Sequence, residues 1–341
     1  MSALFDTLTI PFLLAMFLAL NMGASGTAPS FSAAYGANVI KRTMIPGLFG
    51  IMVLAGALIA GEEVSLTLGK GLLEQHFFTP MITSVILMSV GLSLLVANLI
   101  GVPQSTSQST VLAIAGAATA LDGLDVEKLV YDIIPTWVIL PIVAFILMLS
   151  FTQWIWPRLS RKITARTYNA NGSSSKGIRI FLLLSSLYVA FSIGANNVAN
   201  AAAPIASLTA NQLGVASSEN FLPIIILSFL VVAPCFAIGS SLLGHKVTEN
   251  TGKNIVEVTP FYASIIALLT ASLLIYASVV KGVPTSLVQM NGAAFIALAV
   301  SKHGWSTTFK NRIVRRFFLV WAIAPLISYI LTYGLVAILQ G

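Results

Sequence analysis

Four short stretches combine glycine or proline with small hydroxyl and amide side chains inside otherwise apolar sequence: Gly23-Ala24-Ser25-Gly26-Thr27, Pro103-Gln104-Ser105-Thr106-Ser107-Gln108, Gly194-Ala195-Asn196-Asn197-Val198 and Pro284-Thr285-Ser286. Glycine and proline interrupt helices and free backbone N–H groups, and a proline followed by Ser or Thr is a helix-start signal. Free N–H groups at a helix start bind anions, because the donors and the helix dipole point the same way. Ser25, Gly26, Thr27, Ser105, Thr106, Asn196, Asn197, Thr285 and Ser286 are therefore the candidate donors to an anion. Asn21, Gln104, Ser107, Gln108, Ser192, Asn200 and Gln289 are further candidates for contacts to the anion or to an accompanying cation. No acid lies within any of the stretches, and the cation beside one is Lys281, next to Gly282. Glu62, Glu63, Glu249 and Glu257 sit near the ends of apolar runs, where a solvated face is the ordinary role. His76, His245 and His303 fall in loops, so no metal cluster is indicated. No nucleophile–base pairing, Walker loop or H-E-x-x-H motif is present, which argues against an enzyme, and no cofactor is implied. Small residues in membrane helices also serve close packing, the commoner role for any one such stretch. Their symmetric placement favours binding.

The elements that must position these groups are membrane helices. The 341 residues are 57% hydrophobic and 9% charged, with mean hydropathy +0.93, whereas soluble domains carry roughly a quarter charged residues. The net charge of +7 does not indicate nucleic acid, because the basic residues sit in short loops between apolar runs. Cys235, the single cysteine, lies in an apolar run, so there is no disulfide framework. The N-terminus has an acid and no base before its apolar stretch, which reads as a first span rather than a cleaved leader. Runs long enough to cross the hydrocarbon cover 7–39, 44–60, 81–100, 104–121, 133–156, 178–211, 221–243, 260–280, 285–301 and 316–338. Two of them, 7–39 and 178–211, are too long for one straight helix and carry Gly with Ser or Asn near the middle, so breaks are expected there. The basic stretches 157–179, 41–42 and 302–316 should be cytoplasmic, while 122–132 and 212–220 should face outside. Ten crossings alternate through these assignments and leave both termini outside the cell membrane.

The chain also repeats itself. Gly23-Ala24 matches Gly194-Ala195, Gly56-x4-Gly61-x2-Val64 matches Gly239-x4-Gly244-x2-Val247, Thr79-Pro80 matches Thr259-Pro260, and Gly101-Val102-Pro103-x-Ser105 matches Gly282-Val283-Pro284-x-Ser286. The offsets are 171, 183, 180 and 181, so the landmarks recur in order. This divides the chain into a first repeat over 1–156, a basic cytoplasmic linker over 157–179 and a second repeat over 180–341. Each repeat holds an odd number of crossings, so the second must be inverted, and equivalent loops do carry opposite charge bias. Inverted repeats with interrupted helices are the architecture of secondary transporters, whose sites lie at the midplane between the repeats. If the runs flanking Ser105 and Ser286 fully cross, the two serines end on opposite faces. Re-entrant helical hairpins would bring both tips to the midplane, and hairpins are expected.

On these residues the chain resembles the inorganic phosphate transporter (PiT) family. That family repeats G-A-N-D-V-A-N-A and P-x-S-T-T-H once per half. Here the first motif reads Gly194-Ala195-Asn196-Asn197-Val198-Ala199-Asn200-Ala201, seven of eight positions, with a weaker copy in Gly23-Ala24-Ser25-Gly26-Thr27-Ala28. The second reads Pro103-Gln104-Ser105-Thr106-Ser107-Gln108 and Pro284-Thr285-Ser286-Leu287-Val288-Gln289. The likeness spans nearly the whole chain. The departures narrow it: the family's Asp is Gly26 in one copy and Asn197 in the other, and its His is Gln108 and Gln289. Phosphate keeps a proton near neutral pH, so a carboxylate that accepts a hydrogen bond suits it. Sulfate carries no proton, and neutral donors suit it better. The chain therefore looks like the sulfate permease (CysP-type) branch of the family, with a phosphate or other oxyanion symporter as the alternative.

The resemblance further implies symport with Na⁺ or H⁺, a homodimer and an elevator-like movement. With the core acids gone, Glu257 and the Glu62–Glu63 pair are the remaining, distant proton carriers, whereas Na⁺ can be held by carbonyls and hydroxyls alone. A non-transporting membrane scaffold or a channel is the alternative of another class.

Overall fold

The structure is a computed structural model that describes residues 2–99, 104–158, 160, 175–215, 218–250, 256 and 258–340. The described chain is helical, with one isolated bridge between Leu73 and Leu124. Its helices are α1 (Ser2–Gly36), α2 (Ile45–Ala60), α3 (Glu62–Leu66), α4 (Pro80–Leu99), α5 (Thr106–Ala120), α6 (Ile134–Ser150), α7 (Lys176–Gln212), α8 (Ser218–Asn250), α9 (Pro260–Ile275), α10 (Leu287–His303), α11 (Trp305–Lys310) and α12 (Arg312–Gln340). Four π-helical turns, 67–71, 128–133, 151–155 and 276–280, extend α3, precede or extend α6, and extend α9. Eight of the ten expected runs form segments long and apolar enough to cross a membrane. The other two, α5 with 15 residues and α10 with 17, are about 22 and 25 Å long at 1.5 Å per residue, short of the roughly 30 Å hydrocarbon.

The breaks expected in the two longest runs are not there. Helix α1 runs through Gly23-Ala24-Ser25 for 35 residues, and α7 runs through Gly194-Ala195-Asn196 for 37. The hydroxyl groups turn back onto their own helix: Thr27 Oγ1 donates to the Gly23 carbonyl (2.7 Å), Ser25 Oγ to Met22 (3.1 Å), Ser30 Oγ to Gly26 (2.9 Å) and Ser192 Oγ to Val189 (2.8 Å). The glycines serve helix crossings instead. A Cβ at Gly23 would lie 2.2 Å from the Phe236 carbonyl oxygen, and one at Gly239 would lie 1.8 Å from that of Leu20. Likewise a Cβ at Gly194 would meet the Val53 oxygen at 2.1 Å, and one at Gly56 the Phe191 oxygen at 1.9 Å. These are two copies of one crossing. Phe236 and Val53 stand 183 positions apart, and Leu20 and Phe191 stand 171 apart, the offsets of the glycines themselves.

The packing follows the same exchange. Helix α1 lies mainly on α8 and α2 on α7, while α5 lies on α12 and α10 on α6. Each half therefore completes the other's core, with Phe49 of α2 touching Phe31 of α1 and Phe236 of α8. Helices α4 and α5 form one hairpin and α9 and α10 a second. The open end of the first is marked by the Leu73–Leu124 bridge and by Asp125 N–H donating to the Leu72 carbonyl (3.3 Å). The open end of the second is marked by the Lys302 ammonium over the Tyr262 ring (5.9 Å).

Loop contacts fall into two sets. Gln75 Nε2 donates to the Val215 carbonyl (3.1 Å) and Asn211 Nδ2 to that of His76 (2.9 Å), which joins the region around 72–78 to 211–215. Arg179 Nη2 donates to the Asn38 carbonyl (2.7 Å), Trp156 packs on Phe261 and Tyr262, and Phe145 packs on Trp305. The landmark residues 101–103, most of the 157–179 linker and Glu257 lie outside the described residues.

Candidate functional site

The two hairpin tips meet beside the middle of α7. Ser105 caps α5 by accepting from the Gln108 N–H (3.3 Å), and Ser286 caps α10 by accepting from the Gln289 N–H (3.2 Å). Each cap stabilises its helix by about 1 kcal/mol. Because each hydroxyl oxygen accepts, its proton is available, and among the described residues nothing takes it. The first N–H groups of both helices have no intrahelical partner, and both positive dipole ends are directed at the same place. Between the tips and α1 lies a small cavity lined by Ser25, Gly26, Gln104, Ser105, Thr106, Asn197, Thr285 and Ser286, with Pro29, Ile193, Leu287 and Val288 as its apolar wall.

Asparagines of α7 hold the tips. Asn196 is fully buried and uses all four of its bonding positions. Its Oδ1 accepts from Ser107 Oγ (3.0 Å) and the Thr285 N–H (3.2 Å), while its Nδ2 donates to Ser278 Oγ (2.8 Å) and the Val283 carbonyl (3.4 Å). Asn197 Nδ2 donates to Thr106 Oγ1 (3.0 Å), and Asn200 Nδ2 to Ser107 Oγ (3.2 Å). The Oδ1 atoms of Asn197 and Asn200 are buried and have no hydrogen-bond partner among the described residues. On the other half, Asn21 takes a bond from Asn98 Nδ2 at its carbonyl (2.9 Å) and ties α4 to α1.

Seven of the nine candidate donors line the cavity. Asn196 and Thr27 do not. Neighbouring residues on a helix point about 100° apart, so Asn197 faces the cavity while Asn196 is a strut behind it. Thr27 spends its hydroxyl on the Gly23 carbonyl. Among the wider candidates, Gln104 reaches the lining, its Nε2 bonding Ser93 (2.8 Å) and Ser109 (2.7 Å). Ser107, Gln108, Asn200 and Gln289 stand behind the lining as supports, Ser192 bonds within α7, and Asn21 belongs to the α1–α4 contact. Continuous-helix spacing could have supplied Ile193, one turn before Asn197, and Pro29, one turn after Ser25. Ser278 and Val283 carry no such signal.

No ionisable side chain lines the cavity. The lining can offer hydroxyl, amide and backbone donors to a small anion. Lys281, Glu62 and Glu63 are exposed, as is His76, which pairs with Glu74 (3.2 Å). No group of three metal-binding side chains occurs among the described residues.

Membrane-length helices around two facing hairpin tips and an uncharged polar cavity are the frame of a membrane transporter, and the relatives of the chain are permeases and transporters. The chain belongs to the phosphate transporter family, whose model matches residues 22–332. It is 33% identical over 327 residues to the sulfate permease CysP of Bacillus subtilis, covering 96% of this chain and 86% of that one. It is 24% identical to a protein of Thermococcus kodakarensis provisionally named a phosphate permease, covering 98% of each. A solved structure described as the sodium-dependent phosphate transporter matches with a TM-score of 0.81 over 98% of this chain and 99% of that one; at 20% identity this shows the fold.

Proposed function

We propose that the protein imports inorganic sulfate by secondary active transport, coupled to a cation gradient. The carrying observation is the cavity lining, in which Ser105, Ser286, Thr106, Thr285 and Asn197 bring donors and no carboxylate is present. A fully ionised tetrahedral oxyanion needs donors on every side and gains nothing from an acceptor. The 33% identity to a sulfate permease supports the same reading, against lower identities to the phosphate permeases. Purified protein in liposomes should take up labelled sulfate in preference to phosphate. Uptake of phosphate without sulfate would replace this reading by the phosphate one. In the same assay Asn197→Asp, which sets a negative charge beside the anion, should lower sulfate uptake at least about tenfold.

Na⁺ is the cation favoured here over H⁺. The cavity lining holds no ionisable side chain, whereas the Oδ1 atoms of Asn197 and Asn200 are buried hard oxygens without a partner among the described residues, which supports a Na⁺ ligand role. Uptake driven by an imposed pH gradient and indifferent to Na⁺ would reverse that choice. The reading extends to opposed repeats in the cell membrane, with the basic connections cytoplasmic and both termini outside, and to a homodimer, whose mass light scattering in detergent would read.

A further inference from the structure

Gln108 and Gln289 occupy equivalent places in the two hairpins, and their amides bond each other twice. Each Nε2 donates to the other's Oε1 at 2.8 Å. Both residues are buried, at 3% and 6% exposure. Their backbone N–H groups donate to the capping Ser105 and Ser286 hydroxyls, so the residues held by the two caps also tie the helix starts together. We propose that this amide pair is a positioning clasp that sets the separation of the Ser105 and Ser286 donors and does so independently of pH. It deepens the anion-carrier reading and rests on it for its functional meaning.

Among the described residues, each amide side chain bonds the other and no ionisable group. Of the elements packed on α5 and α10, α4 and α6 carry no ionisable group. Helix α1 carries Asp6 and Tyr35, α7 Lys176, Arg179 and Tyr188, α9 with its π turn Tyr262 and Tyr276, α11 Lys310, and α12 Arg312, Arg315, Arg316, Tyr329 and Tyr333. Lys302 and His303 close α10 at its far end. Both bonds of a neutral cyclic pair need one donor and one acceptor from each side. Replacing one amide by a carboxyl keeps that geometry only while the carboxyl is protonated. Once ionised it presents two acceptors, and one partner oxygen is left facing another.

The clasp is tested by pulsed EPR distances between nitroxides at Val96→Cys and Val280→Cys, exposed positions on the two hairpins, in a Cys235→Ala background without anion. The parent should give one narrow distance distribution at pH 5 and pH 8. Gln108→Glu should match it at pH 5, where the acid proton restores both bonds, and broaden at pH 8. Burial raises the introduced carboxyl above its usual range, so the change falls between those values. A Gln108→Glu distribution unaltered by pH, whether narrow or broad, overturns the clasp. If that variant does not fold, Gln108→Met with Gln289→Met supplies an apolar pair of similar length. It should give a broad distribution at both pH values and anion binding weakened at least about tenfold, and a narrow distribution overturns the proposal. Because the distances are read without anion, failure of the parent protein to bind sulfate sinks the transport reading separately.

Discussion

Gly239→Ala should leave little folded protein, and Gly56→Ala should do equal harm. The added Cβ would lie 1.8 Å from the Leu20 carbonyl oxygen in the first and 1.9 Å from that of Phe191 in the second. Both obstacles are backbone, so no side-chain rotation relieves them, and two long helices must move apart along their whole contact. Overpacking in a tight interior commonly costs 1–3 kcal/mol; with backbone on both sides about 3 kcal/mol or more is expected. In lipid, close approach of backbones is itself a main source of helix association. Thermal unfolding and the yield of monodisperse protein in detergent measure the effect. Gly47→Ala is the control, since nothing lies within 4 Å of its added Cβ. If Gly239→Ala melts no lower than Gly47→Ala, the crossing is looser than the structure has it.

The second large effect concerns binding. Replacing both Ser105 and Ser286 by Ala should weaken sulfate binding about a hundredfold or more, because each hydroxyl bond to a charged ligand contributes about 1.5–3 kcal/mol. Alanine also removes the helix caps, so the loss would mix binding with folding. Glycine separates them: as an N-cap it costs only a few tenths of a kcal/mol relative to serine. Ser105→Gly with Ser286→Gly should keep a near-parental melting temperature yet lose the stabilisation that added sulfate confers on the parent. Retention of that ligand-induced shift in the glycine double variant would remove these hydroxyls from the site.

Much of the fold is legible in the residues because membrane helices and their repeats are written locally. Run lengths place the spans, and the paired Pro-x-Ser tips place the hairpins. Bringing Ser105 to Ser286 favours hairpins; the two serines do line one cavity, and α5 and α10 are shorter than the hydrocarbon is thick. The long helices show where local reading ends. A Gly-Ala-Ser stretch looks alike whether it breaks a helix or seats another helix on it. What decides is a carbonyl some 200 positions away, as when Gly23 meets Phe236. The site divides in the same way. Residue type marked Asn196 and Asn197 together, but helical phase and the distant partners Ser278, Val283 and Thr285 separate the strut from the lining. The loss of carboxylate, by contrast, is a matter of composition at matched positions and could be read directly.

The exchange of partners between the halves also bears on how the chain is made. Helix α1 finds its tightest seat on α8, so the groove at Gly23 stays unfilled until Phe236 has been synthesised. At about 5–20 residues per second, that wait is on the order of ten to forty seconds. During it the helices already made sit in lipid with the Gly23 face uncovered. The α1–α8 crossing is therefore a late event that follows insertion of α8, and a ribosome that stops before that point leaves α1 without its largest partner surface.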